Sequence, residues 1–249
     1  MVKETPRFGV FAGPDSLEEW RAKVDQGELD EFGETRPARE PLFNVPWTIL
    51  VLCLGLIGLY EIQTLTISEP ALDGLGVSAA ALRAGRWSTL FTAMFLHESW
   101  PHVLVNALSA FAFGPPTARL MGLGPRGAAS FFAFYLTCGL LAGLGFVVLN
   151  LNNADAAVGA SGAISGLVGA ASRLIDGRGR IGPMLGRTVI GMGLAWNVAN
   201  YLFGATGLTP GAGGAPVAWQ AHLVGYVAGV LLIGPFARLA GVRDVAFTQ

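Results

Sequence analysis

Six long apolar stretches follow residue 45, and they constrain the fold more than any other feature of the chain. Charged residues or Gly and Pro separate them. The stretches lie near residues 46–65, 95–114, 128–149, 159–174, 184–203 and 218–238. An apolar stretch of about twenty residues is long enough to cross a bilayer as a helix. The sequence therefore predicts an all-α, polytopic membrane protein with a bundle of six transmembrane helices.

The charged residues divide the chain into a polar tail and a membrane domain. Sixteen of the thirty-three charged residues lie between Lys3 and Glu40, and the whole chain is only 13% charged, whereas soluble domains average about 25%. We expect an acidic cytoplasmic tail and linker over 1–44, a membrane domain over 45–240, and a short cytoplasmic tail over 241–249. A net charge of −1 without a basic cluster argues against a nucleic-acid partner.

The arginines between the stretches predict the orientation of the chain, because cytoplasmic loops retain positive residues. With the N-terminal tail inside, only Arg83 and Arg86 fall on the outer side. The arginines on the inner side are Arg119, Arg126, Arg173, Arg178, Arg180, Arg187, Arg238 and Arg243. We expect both termini in the cytoplasm, which requires an even number of spans. No transit peptide is visible, so we expect a bacterial inner membrane.

Five polar residues fall in the outer half of this predicted topology. His97, His102 and Asn106 begin the second stretch, Ser161 begins the fourth, and His222 lies near the start of the sixth. Polar side chains within a membrane are unfavourable unless they have a function or a polar partner. Because three separate segments bring them to one depth, we expect a common site.

Small residues on two of the stretches predict how Ser161 and His222 meet. From Gly162 onward the fourth stretch carries a glycine at every third or fourth position, and the sixth stretch carries Gly225 and Gly229. Such faces allow close helix packing. An imidazole that accepts the serine proton makes the hydroxyl a nucleophile, and the N-terminus of the fourth helix favours an oxyanion. The alternatives are a serine that only packs or caps and a histidine that is only structural.

A zinc site is a weaker interpretation of the histidines. His97 and His102 are five residues apart with Pro101 between them, whereas the zinc-protease helix has its histidines four apart. His102 and Asn106 share a helical face and can donate to one oxygen, while His97 is expected to hold the neighbouring loop. A polar network that only stabilises the bundle is the alternative for all three. We expect no metal and no organic cofactor.

Taken together, these motifs resemble the rhomboid family of intramembrane serine proteases. The matching segments are His97-x4-His102-x3-Asn106, Gly159-Ala160-Ser161-Gly162 and Ala221-His222-x2-Gly225-x3-Gly229. The resemblance implies a Ser161–His222 catalytic dyad and an oxyanion site made by His102, Asn106 and the Ser161 N–H. It also implies that 66–94 is a loop in the outer leaflet and that 203–218 is a mobile cap over the site.

Two positions depart from the family pattern. Its Trp-Arg pair in the first loop is replaced here by Arg86-Trp87, and the aromatic residue that some members have four positions after the serine is Ser165. His222 then needs another orienting group, and the candidates are Trp196, Asn197 and Asn200 on the fifth stretch.

The resemblance implies hydrolysis of peptide bonds in or near the transmembrane segments of other membrane proteins. The partners would be those substrates and the lipid bilayer, and the oligomeric state is left open. A catalytically inactive relative that binds membrane clients is the alternative, but it would be expected to lack Ser161 or His222. A transporter is a third option, and the chain shows no internal repeat of the kind that transporters have.

Overall fold

The computed structural model describes residues 45–68, 71–72, 74–152, 155–206 and 217–242. The predicted tail 1–44, most of the predicted cap and the last seven residues lie outside this part of the chain. Residues Val45–Gln249 form one compact unit.

The described residues contain helices and no strand, which confirms the all-α prediction. A 3₁₀ turn, Ala93–Phe95, follows the third helix. The helices are α1 (Trp47–Thr66), α2 (Ala79–Arg83), α3 (Thr89–Thr92), α4 (Trp100–Met121), α5 (Pro125–Leu149), α6 (Ser161–Asp176), α7 (Arg187–Thr206) and α8 (Trp219–Ala240). Each of the six long ones overlaps one of the six predicted stretches.

Three of the described helices, α1, α5 and α8, are long and apolar enough to cross a bilayer. The chain is therefore an integral membrane protein. Helix α6 has only 16 residues, or about 24 Å at 1.5 Å per residue, which is less than a hydrocarbon core of roughly 30 Å. The count of six spans stays a prediction.

Helix α6 is the centre of the bundle. Every residue from Gly162 to Leu174 is buried, because α4, α5, α7 and α8 all pack around this helix. Its small side chains leave room for these neighbours. Ser161, the first residue of α6, is thus held at the end of the most enclosed element of the fold.

Helix α8 approaches α6 through the predicted small-residue faces. A Cβ atom added to Gly225 would meet the Gly162 carbonyl oxygen, and one added to Gly229 would lie 2.7 Å from the Gly166 Cα atom. Neither position accepts a larger residue without movement of the backbone. This packing fixes the height of His222 relative to Ser161.

Helix α4 begins later than its apolar stretch. Ser99 caps the helix by accepting the His102 N–H at 3.3 Å, and Pro101 occupies one of the first two helical positions, where proline is favoured. His97 therefore precedes the helix, and the expectation that it begins the second span is wrong. The helix also continues beyond residue 114 to Met121, through Pro115 and Pro116.

The segment between α1 and α4 packs on the protein at several points. Leu72, Val77 and Leu82 are buried. Val77 exchanges two backbone hydrogen bonds of 2.9 Å with Ala157, just before Ser161. In addition, the Arg86 guanidinium donates to the Gly74 carbonyl, so the described part of this loop keeps internal hydrogen bonds although its Trp-Arg order is changed.

Candidate active site

The structure brings the Ser161 hydroxyl and the His222 imidazole into contact. Ser161 Oγ lies 2.7 Å from His222 Nε2, within the range of an O–H···N hydrogen bond. Sixty-one positions separate the two residues along the chain, and the packing of α8 on α6 joins them. A hydroxyl in such contact with an imidazole can transfer its proton as it attacks a carbonyl. The catalytic role itself stays a prediction.

The residues predicted to bind an oxyanion lie against the turn before Ser161. A Cβ atom on Gly159 would lie 2.8 Å from His102 Nε2 and 3.7 Å from Asn106 Nδ2. Gly159 has φ of +118°, a conformation that disfavours any other residue. Glycine thus permits the turn and places no side chain against the two nitrogen atoms. The Asn106 Nδ2 atom is buried and has no hydrogen-bond partner among the described residues.

The first turn of α6 adds backbone donors to the same place. The N–H groups that open an α-helix have no partner within the helix, and they carry the positive end of its dipole. The Ser161 N–H is one of these. The predicted oxyanion donors, His102, Asn106 and the Ser161 N–H, therefore border one small region.

A cavity of about 580 Å³ opens beside the Ser161–His222 pair. Its wall includes His102, Asn106, Ser161 and His222, so all four predicted catalytic and oxyanion residues reach one space. Described residues just before position 207 and just after position 216 line it too, among them Phe203 and Trp219. A volume of this size is within the usual range for binding small ligands or segments of chain.

His97 contributes through its backbone and through ring contacts. The Gln63 amide on α1 donates to the His97 carbonyl at 2.6 Å and accepts the His97 N–H at 2.9 Å. The His97 ring lies edge-on to the His102 ring, with centroids 5.1 Å apart. His97 therefore links α1 to a predicted oxyanion donor.

The three candidates for orienting His222 form hydrogen bonds elsewhere. Trp196 Nε1 donates to Ser165 Oγ at 3.0 Å, Asn197 Nδ2 donates to the Gly193 carbonyl, and Asn200 Nδ2 donates to the Trp196 carbonyl. His222 Nδ1 is buried without a hydrogen-bond partner in the described part of the chain. The expectation that one of them holds His222 is wrong, because none of the three bonds to the imidazole: each asparagine nitrogen donates within α7, and the indole reaches α6 instead.

Sequence reasoning missed two polar contacts that surround the site. One is Gln63, whose position near the end of an apolar stretch was a usable signal, because a buried amide requires partners. The other is the hydrogen bond from Trp196 to Ser165. From the sequence, Ser165 was noted only because some family members have an aromatic residue at this position. The described residues contain no group of three or more His, Cys, Asp or Glu side chains that could hold a metal ion.

Comparison with known proteins establishes the family to which the chain belongs. The profile of the rhomboid domain matches residues 84–238, which is more than half of the chain. The chain belongs to the rhomboid family. The match includes the three motifs with Ser161, His222 and the predicted oxyanion residues, so the family assignment and the site rest on the same segments.

Two curated rhomboid relatives are similar to part of the chain. The protein named "Putative rhomboid protease YdcA" from Bacillus subtilis (strain 168) is 37% identical over 86 residues, covering 34% of this chain and 40% of the relative. RHOMBOID-like protein 9, chloroplastic, from Arabidopsis thaliana is 36% identical over 104 residues, covering 42% of this chain and 22% of the relative. In both cases the chain matches less than half of the relative's length.

Proposed function

We propose that this rhomboid protein is an intramembrane serine endopeptidase that cleaves other membrane proteins in or near their transmembrane segments. The observation that carries the proposal is the 2.7 Å contact of Ser161 Oγ with His222 Nε2 on the wall of a cavity of about 580 Å³. The rhomboid family assignment and the name of the Bacillus subtilis relative support a protease.

The proposed chemistry uses side chains of this chain, one backbone N–H group and a water molecule. Ser161 Oγ attacks the scissile carbonyl carbon while His222 Nε2 accepts its proton. The carbonyl oxygen becomes negative and is stabilised by His102, Asn106 and the Ser161 N–H. His222 then gives the proton to the leaving amine, and an acyl-enzyme remains on Ser161. Water from the cavity attacks the ester with His222 again as the base, which releases the second product.

The substrate is proposed to be an unwound stretch of a membrane helix with a small residue at the cleavage point. An intact helix keeps its carbonyls in backbone hydrogen bonds, so Gly or Pro near the cleavage point would favour unwinding. A second pocket of about 30 Å³ borders Ser161 and is lined by small residues such as Gly139, Ala142 and Ala163. A volume of that size suits a methyl group better than a large side chain.

The placement in the membrane belongs to the same proposal. Six helices, α1 and α4 to α8, cross the bilayer with both termini in the cytoplasm, and the short α6 leaves Ser161 below the outer surface within a water-filled cavity. The loop over residues 66–94 is proposed to lie in the outer leaflet. The proposed location is the inner membrane of a bacterium.

Cleavage by purified protein in detergent tests the proposal. The substrate is a single-span membrane protein with Ala at the predicted cleavage point and Gly or Pro nearby. Wild type is expected to cleave it. Ser161→Ala and His222→Ala are expected not to, although a thermal unfolding transition shows that both variants are folded. A substrate with Leu at the cleavage point should be cut much more slowly.

Three results would contradict the proposal. Cleavage that persists in Ser161→Ala removes the nucleophile. Sensitivity to EDTA would favour the zinc interpretation of His97 and His102. Stable binding of membrane clients without cleavage by the wild type would instead support the inactive client-binding protein.

A further inference from the structure

A chain of two hydrogen bonds connects helix α7 to the backbone of Ser161. Trp196 Nε1 on α7 donates to Ser165 Oγ at 3.0 Å. Ser165 Oγ donates in turn to the Ser161 carbonyl oxygen at 2.8 Å. The chain therefore ends on the residue that carries the proposed nucleophile, and Trp196 also lines the cavity beside it.

The chemistry of the three groups determines the direction of both hydrogen bonds. The indole N–H of Trp196 can only donate, and a carbonyl oxygen can only accept. The Ser165 hydroxyl has one proton, so the hydrogen bond that it accepts from Trp196 leaves this proton for the Ser161 carbonyl. Ser165 is fully buried, so its hydroxyl has little access to water.

This contact is one of the side-chain hydrogen bonds that join α7 to the rest of the bundle, and the hydrogen bond from Tyr226 to the Val189 carbonyl is another. Val189 is its only buried residue. The Trp196 ring also meets the Phe113 ring edge-on, with centroids 5.8 Å apart, and the two contacts together hold the indole in one orientation. Loss of the indole N–H alone would leave the ring contact and remove the hydrogen bond to α6.

We propose that Ser165 and Trp196 are positioning residues that hold the Ser161 backbone, and hence its hydroxyl, in the geometry needed for attack. The inference rests on the proposed function. Ser165 occupies the position four residues after the nucleophile, and its hydroxyl acts there on Ser161 rather than on His222. Because the two residues act through Ser161, their loss slows the chemical step and leaves binding of small reagents unchanged.

The test measures how fast a fluorophosphonate reacts with the full-length protein in detergent. Ser161 Oγ forms a bond to phosphorus, the P–F bond breaks, fluoride leaves and His222 receives the proton. Rates at several reagent concentrations separate the maximal rate constant from the concentration that gives half of it. The variants are Trp196→Phe, which keeps an aromatic ring, Ser165→Ala, and the double variant.

Ser172→Ala is the matched control on the same helix. The Ser172 hydroxyl also lies within hydrogen-bond distance of an aromatic side chain, 3.0 Å from the Tyr226 hydroxyl, and 2.7 Å from the Gly169 carbonyl oxygen. It lies eleven positions after Ser161 in the sequence and takes no part in the proposed mechanism. A general loss of stability would affect this variant as well.

We expect Trp196→Phe to lower the maximal rate constant about 3- to 10-fold, the range for loss of one hydrogen bond, with the half-maximal concentration unchanged. Ser165→Ala should lower it at least as much, and the double variant should match Ser165→Ala, because both changes break one chain. Ser172→Ala should react as wild type does. If Ser165→Ala does not fold, the maximal rate constants of Trp196→Phe and Ser172→Ala are compared instead, and a loss in Trp196→Phe alone supports the inference.

Two outcomes overturn the inference while the proposed function stands. Wild-type rates in Trp196→Phe would show that the chain does not position Ser161, and an equal loss in Ser172→Ala would show that the effect is one of general stability. Failure of the wild type to react at all would instead overturn the proposed function, and the inference with it.

Discussion

Replacing Gly229 by Ala should disconnect the two halves of the proposed active site without altering either. The added Cβ atom would lie 2.7 Å from the Gly166 Cα atom, whereas non-bonded carbon atoms settle about 3.5–4.0 Å apart. Both groups belong to helix backbones, so no side chain can turn away. The Cβ atom would lie closer still to the Gly166 carbonyl oxygen, so helices α6 and α8 must separate by at least about 1 Å, the difference between the two carbon–carbon distances.

That separation is large on the scale of the site. If α8 moves as a rigid body, the 2.7 Å Ser161–His222 contact lengthens to about 3.7 Å, outside the range of a hydrogen bond. A misplacement of about 1 Å can lower a catalysed rate by about 100-fold, and overpacking typically costs about 1–3 kcal/mol of stability. We expect Gly229→Ala to lose at least about 100-fold in the rate of substrate cleavage while the protein still folds.

Gly234 provides the control on the same helix. A Cβ atom added there meets nothing within 4 Å, and Ala in place of Gly within a helix gains roughly 0.5–1 kcal/mol. Gly234→Ala should therefore cleave as wild type does and unfold at the same or a higher temperature. Equal cleavage rates in Gly229→Ala and Gly234→Ala would refute the argument that close helix packing sets the Ser161–His222 distance.

Two further substitutions test the surroundings of the site. Gly159→Ala should reduce the cleavage rate about 100-fold or more, as for loss of an oxyanion donor. The added methyl group would push His102 away from the turn, in which Gly159 has φ of +118°. Unchanged cleavage would remove His102 from the oxyanion site. Gln63→Ala should lower the unfolding free energy by about 1–3 kcal/mol, because it leaves buried backbone groups of His97 unpaired, and denaturation in detergent measures this. Thr64→Ala, which changes an exposed residue of the same helix, is the control, and equal stability of the two variants would contradict the argument.

Much of the arrangement around the site could be predicted from residue spacing. The small-residue faces around Gly162, Gly225 and Gly229 predicted the close approach of α6 and α8, because only small residues allow it. The position of each residue on its stretch then predicted that Ser161 and His222 would lie at one depth. These features follow from helical periodicity, which the sequence displays directly.

Features that depend on single hydrogen bonds could not be predicted in the same way. The start of α4 at Trp100 depends on the cap that Ser99 provides, and an apolar stretch alone does not reveal where a helix ends. The indole of Trp196 reaches Ser165 rather than His222, a choice that depends on how α7 is rotated. Since α7 is apolar on nearly every side, its sequence does not specify that rotation.

Arg173 illustrates the same limit at the other end of α6. Its position predicted a cytoplasmic loop, yet the side chain is fully buried. The guanidinium donates to the Gly182 carbonyl and to the Val230 carbonyl at 2.8 Å. A charged residue near a helix end marks the end of an apolar stretch, but its acceptors come from the tertiary structure.

Mass spectrometry of the fluorophosphonate-treated protein tests the central claim most directly, since it identifies the residue that reacts. The account predicts one adduct, on the peptide that contains Ser161, and its loss when His222 is replaced by Ala in protein that remains folded. An adduct on a different residue, or an undiminished Ser161 adduct in His222→Ala, would contradict the claim that this hydroxyl and this imidazole act together.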